Sequence, residues 1–195
     1  MEKNRKIDRR TLYTRAIIKE SFLKLIGEMP YDKINVSKIC AESEISRATF
    51  YLHYDNIDHV LDAVLDDALL FSEENPGYLV DIVDSLSNDD SILNNDSMLP
   101  ACQRIADSDK YHNLFMDPLI SDHIICRIAR HEHDRVIPSL MKKGNLKEDE
   151  AEILFRFILN GSFAVNRSLG WQKKDNWYSF QNLISKFVDG GLKSL

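Results

Sequence analysis

The segment from Tyr31 to Tyr54 reads YDKINVSKICAESEISRATFYLHY. It holds two short helical patterns separated by a tight turn. Asn35 is a good N-cap for the first, Val36 to Glu42, whose apolar stripe is Val36, Ile39 and Cys40. Ser43-Glu44-Ile45 is the turn, and Ser46 caps the second helix, Arg47 to about Leu52. Hydroxyl, aromatic and basic side chains crowd this second helix, while Phe50 is expected to point into the core and Ala48 to allow close helix packing. This is the layout of a helix-turn-helix, in which the second helix enters the DNA major groove.

Outward from this segment the patterns stay helical. On the N-terminal side, Ile18, Phe22, Leu25, Ile26 and Met29 fall on one face of a helix from Thr11 to Met29, stopped by Pro30. The tail before it, Lys3 to Arg10, is polar and mostly basic. It either reaches phosphates or a minor groove, or is simply solvated. On the C-terminal side, Asp55 and Asn56 cap an amphipathic helix built on Ile57, Val60, Leu61, Val64, Leu65 and Ala68, running to about Ser72. Short helices follow over Tyr78–Leu86, Met98–Ala106 and Tyr111–Met116. The first two flank SNDDSILNNDS (Ser87 to Ser97), nine of whose eleven residues are Ser, Asn or Asp, which reads as a loop or lid.

Asp117-Pro118 starts a further helix, ended by Lys142-Lys143-Gly144 and kinked or divided by Pro138. Asn145 to Glu148 reads as the capping box of the next. From Ala151 to Leu169 that helix is apolar on nearly every side, and Asn176 to Asp189 repeats the demand for cover. A partner subunit is the expected cover, through Phe155, Ile158, Leu159, Phe163, Trp177, Phe180, Ile184 and Phe187. Strand signals are scarce. The expectation is an all-α fold of about nine helices: residues 1–55 form the DNA-binding domain and residues 56–195 a larger helical domain.

Composition agrees with an ordinary globular chain: 44% of its 195 residues are hydrophobic, 29% are charged and the net charge is −6. The charge is uneven. Residues 1–55 carry eleven Lys/Arg against eight Asp/Glu, a net +3, and residues 56–195 carry fourteen against twenty-three, a net −9. A basic module on an acidic body suits nucleic acid at one end only. No apolar run is long enough for a membrane helix and no signal-peptide pattern is present, so a cytoplasmic protein without membrane partners is expected. Cys40, Cys102 and Cys126 lie far apart among apolar neighbours and are expected to be reduced and packed. His123, Cys126, His131 and His133 have no diagnostic spacing, and no metal or other cofactor is expected. GxxxxGK, GxGxxG and GxSxG are all missing, so no catalytic residue is expected and an enzyme is the remote alternative.

The residues Asn35-Val36-Ser37-Lys38-Ile39-Cys40 and Ser46-Arg47-Ala48-Thr49-Phe50-Tyr51-Leu52-His53-Tyr54 resemble the TetR family of bacterial transcriptional regulators. That family's pattern is T/N-V-x-x-I-A followed by S-R-x-T-F-Y-x-H-F/Y-x-x-K-x-x-L. The resemblance covers roughly residues 11–65. Two positions depart from it: Glu44 stands where the family commonly has Gly, and Ile57 where it usually has a phosphate-binding Lys.

The resemblance implies a dimeric regulator, commonly a repressor, whose larger domain binds an effector and resets the separation of two DNA-reading heads. Lys38, Ser46, Arg47, Thr49, Tyr51, His53 and Tyr54 are the candidate DNA contacts. Ser46 and Lys38 suit phosphate, Arg47 suits guanine or phosphate, Thr49 suits a base edge, and Tyr51 and His53 suit the backbone. Tyr54 divides evenly between core packing and phosphate. One groove-sized helix is too small a reader for operator-level affinity, so a homodimer on a palindromic double-stranded operator is expected. The side chains available to line an effector pocket are Phe71, Cys102, Phe115, Cys126, Phe155, Phe163 and Trp171. The alternative is a coregulator whose larger domain binds a protein partner instead of a small molecule.

Overall fold

In a computed structural model of the chain, residues 9–69, 109–173 and 176–195 are described. Ile18, Phe22, Leu25 and Ile26 recur at helical spacing and are all buried, and they define the inner face of α1, Arg9–Glu28. Pro30 ends the run, and a 3₁₀ turn over Tyr31–Lys33 leads to α2, Val36–Glu42. Asn35 Oδ1 accepts from Lys38 N–H at 3.0 Å, as its N-cap role requires. Helix α3, Arg47–Tyr51, is capped by Ser46 Oγ, which accepts from Thr49 N–H at 3.0 Å. Helix α4, Ile57–Leu69, is capped by Asn56 Oδ1 on His59 N–H at 2.8 Å.

The turn between α2 and α3 is a Schellman motif. Ile45 N–H donates to Cys40 O at 3.0 Å and Glu44 N–H to Ala41 O at 3.4 Å. This geometry forces one left-handed residue, and Glu44 occupies it at φ 53°. The turn therefore keeps the geometry for which glycine is preferred and places a side chain in it, at about 1 kcal/mol of strain.

The chain divides into two compact units, one ending at Ala68 and the next beginning at Leu69. The first unit thus takes in nearly all of α4, which the sequence boundary at residue 55 left outside. Val60, Leu61, Val64 and Leu65 are buried, and two polar links, Lys19 to Asp67 and Tyr31 Oη to Asp58, tie α4 to the segments before it. A 2.6 Å ion pair between Lys24 and Glu42 joins α1 to α2. Of the basic tail, Arg9 and Arg10 are already in the exposed first turn of α1, and residues 3–8 lie outside the described residues.

Among its described residues the second unit holds α5, Asp109–Met116; a 3₁₀ turn over Pro118–Ile120; α6, Ser121–Gly144; α7, Glu148–Ser168; and α8, Trp177–Ser194. Asp117 caps the 3₁₀ turn by accepting from Leu119 N–H at 2.9 Å. Pro138 does not divide α6, which is continuous. The arrangement of α6 and α7 is antiparallel: Arg167 Nη1 donates to Ser121 Oγ at 3.0 Å near one end, and His133 Nε2 lies 2.5 Å from Glu152 Oε1 further along. Gln181 Nε2 donates to Asn166 Oδ1 at 2.8 Å and fastens α8 to α7.

The break between α6 and α7 differs from the sequence expectation. Asn145, not Gly144, is left-handed, at φ 50°. Gly144 is buried and ends α6 by close packing, since a Cβ there would meet Leu146 Cγ at 2.9 Å. Helix α7 then starts two residues later than the expected box, with Lys147 N–H donating to Glu150 Oε2 at 2.8 Å. No strand occurs among the described residues, and none of their helices is long and apolar enough to cross a membrane. The fold is all-α, with eight α-helices among the described residues. The helices expected over Tyr78–Leu86 and Met98–Ala106, and the loop between them, lie outside those residues.

Candidate nucleic-acid interface

Helix α3 is five residues long, so its orientation rests on what it buries. Phe50 is fully buried, with its ring edge-on to Tyr51 at 5.5 Å and tilted against Tyr54 at 6.1 Å. With position 50 pointing inward, 100° per residue carries positions 48 and 52 to the opposite side, and positions 47 and 51 to one flank. Arg47, Ala48, Tyr51 and Leu52 are all exposed. Arg47 is steadied by Ser37 Oγ of α2, which accepts from its guanidinium. The two helices thus present one continuous outer surface.

The other candidates fall into three groups. Ser46 and Thr49 face each other, with their hydroxyl oxygens 2.9 Å apart, so both serve the helix start as well as any ligand. Lys38 is exposed, but its ammonium is folded back onto Lys33 O at 2.8 Å, and His53 is half-buried. Of the two roles open to Tyr54, its burial shows the packing one. It is 8% exposed and packed on Phe50, and the Arg15 guanidinium lies 5.9 Å from its ring centroid. Burial raises its phenol pKa, opposed in part by Arg15, and the ring acts as a floor for α3. Ala48 is corrected: it is on the open face, not at a helix contact.

Beside α3 is an open cleft of about 340 Å³ lined by Tyr31, Ile34, Val36, Tyr51, Asp55, Ile57 and Asp58, among others. Ile57 is half-buried in it, and the nearby ionisable groups are carboxylates and phenols. Burial first, then the hydrogen bond to Asp58, raises the Tyr31 phenol pKa. At Ile57, where the resemblance implies a phosphate-binding lysine, the surface is therefore an apolar spot beside acidic side chains.

The second unit scatters the expected pocket residues. Phe115, Phe163 and Trp171 come together, with Trp171 5.1 Å from Phe115 and 5.3 Å from Phe163. Trp171 is left-handed at φ 46°, a strained state for a bulky residue, and its buried Nε1 has no hydrogen-bond partner among the described residues. Phe155 is buried on α7, whereas Cys126 is exposed on α6 and was expected to be packed. Phe71 and Cys102 lie outside the described residues. Cys40 is buried, and burial raises its thiol pKa, as a packed reduced cysteine requires.

One buried charge had no sequence signal beyond its spacing. Glu132 occupies the inner stripe of α6 with Ile124, Ile128, Val136 and Leu140, its carboxylate 3.0 Å from His131 Nδ1 and 3.5 Å from Arg135 Nη1. Of the eight residues expected at a dimer interface, Phe155, Leu159, Phe163 and Trp177 are buried within the unit itself. Ile158 and Ile184 are half-buried, and Phe180 and Phe187 are exposed. Ile153, Phe157 and Leu183 are exposed as well and complete an apolar surface on α7 and α8.

Comparison with known proteins bears on the first unit. Residues 17–64 match the family described as bacterial regulatory proteins, tetR family, over about a quarter of the chain. An uncharacterized HTH-type transcriptional regulator, YxbF of Bacillus subtilis (strain 168), is 40% identical over 65 residues, which are 33% of this chain and 17% of that protein. No solved structure matches. With the two capped helices, the Schellman turn and the exposed side chains of α3, the match over residues 17–64 identifies the first unit as a DNA-binding domain of the kind found in bacterial regulatory proteins of the tetR family.

Proposed function

We propose that the chain regulates transcription, as a repressor, by binding a palindromic operator as a homodimer whose affinity is switched by an effector in the second unit. The observation that carries the reading is the exposure of Arg47, Ala48, Tyr51 and Leu52 on a short helix anchored by the fully buried Phe50. Arg47 suits bidentate pairing with guanine, and Tyr51 offers a hydroxyl on a rigid ring. Support for a dimer comes from α7 and α8, which leave Ile153, Phe157, Leu183 and Phe187 in solvent. Large apolar side chains left exposed on neighbouring elements of the chain are what an association site requires. Support for a small-molecule effector comes from the Phe115–Trp171–Phe163 cluster, where a buried indole N–H is available to a hydrogen-bond acceptor.

The test is a band shift with the full chain and the DNA flanking its gene, comparing the wild type with Arg47→Ala and Tyr51→Ala. Each substitution is expected to weaken binding by about tenfold or more. Both side chains are exposed, so melting temperatures should hold. Undiminished binding by both variants would overturn the assignment of α3 as the reader. Thermal shift against a metabolite panel addresses the effector; stabilisation by one compound class supports a small-molecule site.

A further inference from the structure

The structure shows an apolar element in the middle of the reading surface that a phosphate-binding or purely polar reader would not need. Leu52 is 81% exposed, and among the described residues no large apolar side chain is more exposed. It is the C-cap of α3, but the cap is made by its backbone, whose N–H donates to Ala48 O and Thr49 O at 3.3 Å each. Its side chain is therefore not required to end the helix. Ala48 is one turn earlier on the same face and is also exposed, so the two form a short apolar strip alongside the polar readers Arg47 and Tyr51. Single exposed leucines are common on protein surfaces. This one is distinguished by its place beside Arg47 and Tyr51, on the side of α3 opposite Phe50.

We propose that Leu52, with Ala48 giving it room to approach, is a specificity residue that reads thymine through its 5-methyl group. The inference rests on α3 being the DNA reader. In the major groove the base edges otherwise present hydrogen-bond donors, acceptors and bare ring C–H groups, and the thymine methyl is the one apolar group that projects from them. Phosphates and sugars offer a leucine nothing comparable. Contact between Leu52 and a methyl removes both from water, and one methyl-sized group buried corresponds to about a fourfold change in affinity.

The experiment begins by selecting operator duplexes from a randomised library with the full-length protein. Each thymine of the selected site is then replaced by deoxyuridine, which deletes the methyl and leaves every hydrogen-bonding group in place. Wild-type protein is expected to lose about fourfold in affinity at one thymine per half-site. Leu52→Ala is expected to bind the thymine and uracil versions alike, and its melting temperature, unchanged, shows that the head is intact. Arg47→Ala should weaken binding to both versions and keep the uracil penalty.

A selected site at which no uracil substitution matters overturns this proposal alone. So does a uracil penalty that persists undiminished in Leu52→Ala. Failure of the wild type to enrich any duplex overturns both this proposal and the DNA-reading role of α3.

Discussion

The two units treat exposed apolar side chains differently. In the first, Ile18, Phe22, Ile39, Phe50, Val60 and Leu61 are sealed in, and the apolar groups left exposed on and just after α3 are Ala48 and Leu52, beside Arg47 and Tyr51. Here polar and apolar readers alternate over a few residues, as a varied base-edge surface requires. In the second unit the exposed large apolar residues include Ile153 and Phe157 on α7 and Leu183 and Phe187 on α8, with Arg156 and Lys186 exposed on the same helices. Such a face suits a partner that is itself apolar, and a second copy of the same face meets that condition by symmetry. One set is chemically mixed, the other more uniform, and the proposed roles are selection for the first and association for the second.

The sharpest way to break this contrast is to charge the uniform face. Phe187 is 71% exposed, so Phe187→Glu should leave the unit folded while placing a carboxylate in the proposed interface. An unpaired buried charge there should raise the dimer dissociation constant by about a hundredfold or more, and operator affinity should fall with it. Light scattering coupled to size exclusion, followed by a band shift, measures both. A dimer that persists with full operator binding would remove α8 from the interface.

The next effect concerns the acidic cleft. Ile57→Lys restores a cation beside α3, and binding should tighten, with the slope of log K against log salt steepening by about one unit. A salt titration of operator affinity checks this. An unchanged slope would show that this position is out of reach of the backbone.

Glu44→Gly removes the Cβ from a left-handed residue and should stabilise the first unit by about 1 kcal/mol. Denaturant unfolding monitored on that unit reads the change. A loss of stability would contradict the strain argument.

The smallest effect is a pH dependence in the second unit. Asp134 at 2.9 Å and Glu152 at 2.5 Å hold the His133 imidazole pKa above its ordinary 6.5. A raised pKa in the folded state means that the stabilisation is fully present below about 6.5 and is lost as pH rises through the folded value. The melting difference between wild type and His133→Gln should therefore be largest at acid pH and close towards alkaline pH. The opposite trend would exclude the α6–α7 link as a charged pair.

Legibility in the sequence followed the range of the forces involved. Asn35 and Ser46 cap their helices through side chain to backbone bonds three residues long, so the boundaries of α2 and α3 could be read locally. The Glu44 strain was local too, because a turn of that length dictates its own dihedral angles. Tyr54 was ambiguous because a tyrosine serves equally as floor or reader until the Arg15 and Phe50 contacts decide. Ala48 was placed inside by its size, although the inward direction of Phe50 already implied the reverse. Leu52 was passed over because an exposed leucine has no polar signature. In α7 the apolar residues surround the helix, and the choice of Phe155 inward and Phe157 outward depends on α6 and α8, which lie far away in sequence. Asn145 reads equally as the start of one helix and the end of another, and the packing of Gly144 against Leu146 decides it.

The central claim is that α3 reads DNA as one of two symmetric copies. Selection from a randomised duplex library with the full-length protein, repeated with Arg47→Ala, tests it most directly. The account predicts a two-fold-symmetric site whose half-site centres are about one helical turn or a multiple apart, with the enrichment lost in the variant. No enrichment, or an asymmetric site selected equally well by Arg47→Ala, would contradict it.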